Sequence, residues 1–286
     1  MPELPEVEAL AGFLRQETVG QEIVRAEVAA LSALKTFKPP VESLIGQTVR
    51  DVTRIGKYLT IGAGDVWLVM HLARGGWVQW REKVTPGRAK PGRGPLALRV
   101  GLSGGAGFDV TEQGTEKRLA IWVVASPFDI EPVAQLGPDP LTDAFSAAVL
   151  AEILHRSNGH LKKVLTDQSA LAGVGNAYSD EALHGARLSP YKPAAKLTEE
   201  ENQRLYEALV RVLSDAVQRS TGLAASGLKS EKKSGLAVHN RAGQPCPVCG
   251  DTIREVSFAT KSFQYCPTCQ TGGKPLADRR MSRLLK

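Results

Sequence analysis

The sequence predicts an α+β protein with more than one domain, on the basis of three observations. Short apolar segments separated by clusters of Gly and Pro run from Val49 to Val124, a pattern typical of a β-sandwich or barrel. Segments with helical periodicity follow from residue 143 onward. Four cysteines stand near the carboxyl end as two CxxC pairs. We therefore expect an N-terminal two-layer β-sandwich flanked by helices, a helical C-terminal domain and a small cysteine-rich module.

Changes in composition along the chain indicate where these domains begin and end. The clearest is the Pro- and Gly-rich stretch Gln135–Leu141, which separates the strand-like half from the helical half. The domains expected are a sandwich at 1–134, a linker at 135–142, a helical domain at 143–238, a cysteine module at 239–272 and a basic tail at 273–286. The helices expected in the second half lie at 143–157, 161–166, 174–185 and 198–221. Thr198 and Glu201 have the spacing of a capping box.

The charge distribution favours a polyanionic partner. The formal net charge is +6, and residues 240–286 hold eight Lys and Arg against three Asp and Glu. Such a basic cluster is typical of nucleic-acid binding, although it is also compatible with a solvated surface. The chain has no apolar run near the roughly 20 residues of a membrane span. Its start is acidic, unlike a signal peptide, so we expect a cytoplasmic protein that does not bind membranes.

The opening Met1-Pro2-Glu3-Leu4-Pro5 offers a nucleophile. Removal of Met1 would leave a secondary amine on Pro2, and an α-amino group titrates roughly 2–3 pKa units below a lysine. Attack of this amine on a sugar C1′ gives a cationic iminium, with Glu3 beside it as general acid and base. Pro5 suits the first turn of a helix that would fix the amine in space. The alternative is an ordinary helix start without chemistry.

The four cysteines predict a zinc site. Cys246, Cys249, Cys266 and Cys269 form two CxxC pairs separated by sixteen residues, a spacing that suits tetrahedral Zn²⁺. Two disulfides are the alternative, but reduced thiols are expected in a chain without an export signal. Four cysteine ligands leave no open position, so the zinc would be structural. Between the pairs, residues 254–265 resemble a β-hairpin with Lys261 at its turn.

Taken together, these motifs resemble the formamidopyrimidine-DNA glycosylase and endonuclease VIII family. The resemblance rests on MPELPEVE, RIGKYL, LGPDPL, LAGVGNAY and the cysteine pairs, in family order. It implies a helix–two-turn–helix domain and a monomer that binds double-stranded DNA with a damaged base or abasic site. It also implies base flipping, removal of the base, and strand cleavage by β- and δ-elimination. The site residues it implies are Pro2, Glu3 and Lys57 for catalysis, and His71, Arg74, Lys162, Gly175, Asn176 and Lys261 for DNA binding.

Several positions depart from the 8-oxoguanine branch of that family. Arg74 stands where a methionine is expected, and Thr111–Arg118 where an Arg-Arg-Phe wedge is expected. The segment Gly222–Gly235 is shorter than the one that caps 8-oxoguanine, and Lys261 replaces an arginine. We therefore expect intact lyase chemistry with a different lesion preference. The alternative is a zinc-finger protein that binds damaged DNA without cleaving it.

Overall fold

The computed structural model describes residues 1–85, 87, 94–257 and 262–277, and the chain divides into two compact units. The first unit contains Met1–Gln135 and Val217–Glu231, and the second contains Leu136–Ala216 and Lys232–Lys286. Among the described residues, every helix is too short or too polar to cross a lipid bilayer.

The first unit is a β-sandwich with a helix against it. Its strands are β1 (Ile23–Val28), β2 (Val49–Ile55), β3 (Tyr58–Ala63), β4 (Val66–His71), β5 (Gly76–Arg81), β6 (Leu96–Leu102), β7 (Gly107–Glu112) and β8 (Ala120–Val124), and its helices are α1 (Leu4–Thr18) and the short α2 (Glu131–Ala134). One antiparallel sheet has the order β1-β6-β7-β5 and the other β2-β3-β4-β8. Both sheets and α1 contribute to one apolar core, which confirms the predicted sandwich.

Helix α1 forms where its apolar spacing predicts. Leu4, Leu10 and Leu14 are completely buried, and burial of each leucine contributes about 1.5–3 kcal/mol. A proline stands in the first turn, where its missing N–H costs nothing. The chain leaves the helix through Gly20 at φ +84°, a left-handed conformation that glycine adopts without strain.

Three strands, β1, β5 and β7, were not predicted from the sequence because polar residues interrupt their patterns. Strand β7 is the clearest case, since Asp109 is only 2% exposed within it. Its carboxylate accepts hydrogen bonds from Arg99 Nε at 2.7 Å and Arg81 Nε at 3.1 Å. Burial alone would raise the pKa of Asp109, but these two guanidinium groups outweigh it and lower the pKa. The buried charge is therefore compensated within the sheet.

The segment Val217–Glu231 packs with the first unit, whereas the sequence placed it in the helical domain at 143–238. Trp77 Nε1 of β5 donates to the Ala225 carbonyl at 2.9 Å. Ala225 and Leu228 are buried in the core of the sandwich. Local helical periodicity does not reveal this packing, because the apolar partners of the segment are more than a hundred residues away in sequence.

The second unit is helical and ends in a hairpin module. Its elements are α3 (Ala147–His155), α4 (Leu161–Thr166), α5 (Asn176–Gly185), α6 (Glu199–Ser220), α7 (Leu228–Ser234), β9 (Arg254–Ser257), β10 (Ser262–Tyr265) and α8 (Pro267–Thr271), with α6 and α7 continuing across the limits between the units. Helix α3 begins later than expected because Ser146 Oγ caps it by accepting the Val149 N–H at 3.3 Å. The capping box before α6 forms as predicted, with bonds of 3.0 and 3.2 Å between Thr198 and Glu201.

Candidate functional site

The head of α1 holds Pro2 and Glu3 in a buried position. Pro2 is buried and Glu3 is 2% exposed. Glu3 is the residue before the first turn, and its N–H donates to Glu6 Oε2 at 2.8 Å. This bond is half of a capping box and fixes the backbone beside Pro2. The geometry at the chain start therefore depends on the helix that follows it.

Lys57 lies in a two-residue turn between β2 and β3. Gly56 takes φ +58° in this turn, and Lys57 is 7% exposed. Arg54 Nε donates to Glu8 Oε2 of α1 at 2.8 Å, and Arg54 Nη1 donates to the Gly56 carbonyl at 3.1 Å. One guanidinium thus ties α1 to the turn that carries Lys57. Helix α1 and the turn that carries Lys57 are therefore joined through the single side chain of Arg54.

His71 is the last residue of β4 and pairs with Tyr58, which directly follows Lys57. The imidazole and the Tyr58 ring lie 5.0 Å apart between centroids. Burial, and then the positive charge of Lys57, lower the pKa of His71 to about 4. The imidazole is therefore neutral at pH 7. It can donate or accept a hydrogen bond there but adds no positive charge.

The connection between β7 and β8 is drawn back onto the sheet. Glu112 is 5% exposed, and its Oε1 accepts the N–H groups of Arg118 at 2.6 Å and Leu119 at 2.8 Å. Lys117 Nζ donates to the Glu112 carbonyl at 2.6 Å, and Leu119 is 2% exposed in the core. Leu119, which directly precedes β8, is therefore part of the sandwich core and does not project from it. Arg74, in the turn after β4, is exposed.

The glycine-rich turn before α5 presents that helix's N-terminus. Gly173 takes φ +83°, which permits the tight turn, and Gly175 is the N-cap. Asn176, the first helical residue, donates its Nδ2 to the Ser262 carbonyl of β10 at 2.7 Å. An amide nitrogen carries two hydrogens, so a second hydrogen remains for another acceptor. First-turn N–H groups have no intrahelical acceptor and favour anions.

Lys162 directs its ammonium into the protein. Its Nζ donates to the Asn176 carbonyl at 2.7 Å, Ser179 Oγ at 2.8 Å and Asp180 Oδ1 at 2.5 Å. Asp180 is fully buried and its other oxygen bonds His239 Nδ1 at 2.7 Å. An ammonium has three donors, and these acceptors account for them. The lysine therefore orders the first turns of α5.

The next residue of α5, Glu181, holds the chain that leads into the cysteine module. Its carboxylate accepts the N–H groups of Ala237, Val238 and His239 at 2.8–2.9 Å. Burial raises the pKa of Glu181, while these three hydrogen bonds act in the opposite direction. Helix α5 is thus fastened to the module by two consecutive acidic residues.

The four cysteine sulfurs gather in one cluster. Cys246 Sγ lies 3.9 Å from Cys269 Sγ, and Cys249 Sγ lies 3.3 Å from Cys266 Sγ. The pKa of the Cys266 thiol is raised to about 11, and burial is the largest cause of this rise. A divalent cation relieves this penalty because it binds the thiolate form. The donor set and spacing therefore fit tetrahedral Zn²⁺. His184 of α5 also reaches the cluster, with Nε2 at 3.3 Å from Cys246 Sγ.

Comparison with known protein families matches three parts of the chain. The formamidopyrimidine-DNA glycosylase N-terminal domain matches residues 1–112, and the formamidopyrimidine-DNA glycosylase H2TH domain matches residues 136–226. The zinc finger found in FPG and IleRS matches residues 243–272. The chain belongs to the formamidopyrimidine-DNA glycosylase family.

The relatives of this family member include several that cover nearly its full length and one that covers about half of it. Formamidopyrimidine-DNA glycosylase from Symbiobacterium thermophilum is 34% identical over 98% of this chain and 93% of its own. An uncharacterized formamidopyrimidine-DNA glycosylase-like protein from Mycobacterium tuberculosis is 63% identical over 53% of this chain and 94% of its own. The MutM (Fpg) protein of Thermus thermophilus superposes with a TM-score of 0.80 at 33% identity, covering 96% of this chain and 100% of that one. Lactococcus lactis Fpg in complex with abasic-site DNA superposes with a TM-score of 0.82 at 26% identity, covering 94% of this chain and 99% of that one.

These comparisons and the cysteine cluster confirm the predicted family, fold and zinc ion. The roles of the individual site residues stay predictions. Lys261 and the end of the basic tail lie outside the described residues. Sequence reasoning missed Arg54, Asp180, Glu181 and His184. Arg54 stands within RIGKYL and the two acids directly follow LAGVGNAYS, so proximity to a motif was an available signal. His184 carries no such signal, since Cys246 is 62 residues away.

Proposed function

We propose that the protein is a bifunctional DNA glycosylase and abasic-site lyase that acts as a monomer on double-stranded DNA. The observation that carries this proposal is the fixed head of α1, where Pro2 and Glu3 are buried and Arg54 joins the helix to the Lys57 turn. A nucleophile held next to an acid, on a helix that is joined to the turn carrying a lysine, suits covalent catalysis. The complex of Lactococcus lactis Fpg with abasic-site DNA supports DNA as the partner.

The proposed reaction begins after Met1 is removed. The Pro2 amine attacks C1′ of the flipped nucleotide as the bond from C1′ to the base breaks, and the base leaves with a proton. The amine then loses its own proton and the C1′–O4′ bond breaks, with the proton going to O4′, so that the sugar ring opens and the iminium forms. Glu3 transfers protons at the opening sugar as general acid and base. The cationic iminium then accepts electrons as a proton leaves C2′, and the 3′ phosphate is expelled in β-elimination. A second elimination expels the 5′ phosphate.

The remaining site residues would bind and position the DNA backbone. Lys57 supplies positive charge at the reacting end, and the neutral imidazole of His71 supplies a hydrogen bond without charge. The second Nδ2 hydrogen of Asn176, with the N-terminus of α5 at Gly175, provides donors for a phosphate oxygen. Because Lys162 donates to three internal acceptors, we assign it to positioning of Asn176 in place of direct DNA contact.

We further propose that 8-oxoguanine is a poor substrate. The connection before β8 is held by Glu112, and Leu119 lies in the core. This segment therefore offers no aromatic side chain to fill the space that a flipped base leaves. Arg74 stands in the other position where an apolar filler is expected, and a charged side chain is costly to stack between bases.

Borohydride trapping tests the lyase proposal. The protein is incubated with duplex DNA that contains one abasic site, and borohydride is added to reduce any iminium to a stable adduct. We expect an adduct with the unaltered protein and with Pro5→Ala, which changes the helix start but keeps the nucleophile. Pro2→Gly should give much less adduct, because its primary amine forms an imine that is not permanently cationic. Intact mass establishes whether Met1 is removed. Tight binding without an adduct would contradict the proposal and indicate a protein that senses damage without cleaving DNA.

A rate comparison tests the lesion preference separately. Single-turnover cleavage is measured on 8-oxoguanine opposite cytosine and on an abasic site in the same duplex. We expect cleavage of the abasic site to be faster by a factor of about 100 or more, equivalent to about 2.7 kcal/mol in the barrier. Similar rates on the two duplexes would refute the preference while leaving the lyase proposal intact.

A further inference from the structure

His184 is placed at the metal centre by α5 and not by the cysteine module. It stands in the last turn of α5 (Asn176–Gly185) and is 6% exposed. Its Nε2 lies 3.3 Å from Cys246 Sγ. The ligand atoms of His184, Cys246, Cys266 and Cys269 all lie within 4.8 Å of one another. Five donors therefore surround a position where zinc accepts four.

The distances place the imidazole at the edge of the coordination sphere. Tetrahedral zinc with Zn–S of about 2.3 Å and Zn–N of about 2.0 Å separates two sulfurs by about 3.8 Å, and a sulfur and a nitrogen by about 3.5 Å. The observed separations are 3.9 Å for Cys246 to Cys269 and 3.3 Å for His184 to Cys246. The imidazole nitrogen is thus at the spacing expected of a ligand, as well as that of a hydrogen-bond donor to a thiolate.

The cysteines differ in exposure, and this difference indicates that Cys249 is the ligand that His184 can replace. Cys246 and Cys266 are buried at 3% and 0% exposure, whereas Cys249 is exposed. The set of four donors within 4.8 Å of one another contains His184 but not Cys249. A Cys₃His set is one of the ordinary structural zinc sites.

We propose that His184 is a reserve ligand of the zinc centre. With all four cysteines present, its Nε2–H donates to the Cys246 thiolate and orients it from outside the coordination sphere. When Cys249 is lost, the imidazole turns its nitrogen lone pair to the metal and completes a Cys₃His site. The centre then keeps a structural ion although its exposed ligand is missing.

Cobalt binding to the full-length protein tests this proposal. Co²⁺ reports its ligands by absorption, since thiolate charge-transfer bands fall and ligand-field bands shift when nitrogen replaces sulfur. We expect Cys249→Ala to bind one Co²⁺ per chain with a spectrum of three sulfurs and one nitrogen. The double variant Cys249→Ala with His184→Phe should bind at least about 100-fold more weakly, beyond the range of 10–100-fold typical of an outer-shell partner.

Two controls separate ligand loss from misfolding. His184→Phe alone keeps four cysteines and should bind Co²⁺ with a four-sulfur spectrum and about 10-fold lower affinity, which also reports that the variant folds. Cys249→Ala with His155→Phe alters an exposed histidine of α3 and should behave like Cys249→Ala. If Cys249→Ala proves unfolded, the test uses Cys249→Ser instead, because serine nearly keeps the side-chain volume.

The contrary outcomes are distinct. Loss of metal in Cys249→Ala alone, to the level of the double variant, would overturn the proposal because the imidazole would then provide no ligand. Equal retention in the single and double variants would overturn it too, since water would be filling the position. Neither result depends on lyase activity.

Discussion

The pKa of His71 gives the sharpest prediction about the sandwich unit. Burial and the charge of Lys57 lower this pKa from its usual 6.5 to about 4. The unfolded chain therefore binds a proton first as the pH falls. The contribution to stability is fully present above pH 6.5 and is lost progressively between pH 6.5 and about 4. The protein should lose stability in mild acid before most of its carboxylates titrate.

The magnitude follows from the two pKa values. The difference between 6.5 and about 4 corresponds to about 3 kcal/mol at 1.36 kcal/mol per pKa unit. About 2 kcal/mol of this is already lost at pH 5, because the folded imidazole is still neutral there while the unfolded one is protonated. His71 is partly exposed, so solvent screening makes these figures upper bounds.

Urea unfolding at pH 7.5 and pH 5.0 measures the effect. Between pH 7.5 and pH 5.0, we expect the free energy of unfolding to fall by up to about 2 kcal/mol more in the unaltered protein than in His71→Phe. This variant keeps an aromatic ring against Tyr58 but cannot titrate. Imidazole proton resonances should place the pKa of His71 well below 6.5. Lys57→Met should raise that pKa only partly, because burial is the larger cause. A titration near 6.5, with equal pH dependence in both proteins, would refute the reasoning.

Two further variants test buried contacts in the two units. Asp180→Asn removes the fully buried charge that pairs with the lysine of α4, and we expect a loss of about 3–5 kcal/mol in urea unfolding. The exposed Asp143→Asn should be neutral within about 0.5 kcal/mol. Trp77→Phe leaves the Ala225 carbonyl without its indole donor, so a loss of about 1–3 kcal/mol is expected. Trp80→Phe is the matched control, and an equal loss in both tryptophan variants would contradict a specific role for this bond.

The sequence predicted those elements whose patterns are local. Helices α4 and α6, the β9–β10 hairpin and the four cysteines are each specified by spacing within a short window, and they lie where expected. Strand β7 escaped prediction because the partners of Asp109 are on β5 and β6, so its polarity is balanced only in the sheet. His184 escaped for the same reason, since its partner Cys246 is brought near by folding. Local patterns identify elements, whereas buried polar pairs depend on tertiary contacts.

Helix α5 has only ten residues, and isolated helices shorter than about 12–15 residues are marginal in water. Its stability must come from contacts along its length. These run to Lys162 of α4 and to the cysteine module, through Ser262 at the start of the helix and Cys246 at its end. Removal of zinc should therefore destabilise α5 and the position of the Asn176 side-chain donors, since binding of a structural zinc contributes folding free energy. Hydrogen exchange before and after chelation measures this. We expect faster exchange of amides 177–185 after chelation and unchanged exchange in β3 and β4. Unchanged protection of α5 would mean that the buried bonds of Asp180 and Glu181 hold the helix without the metal.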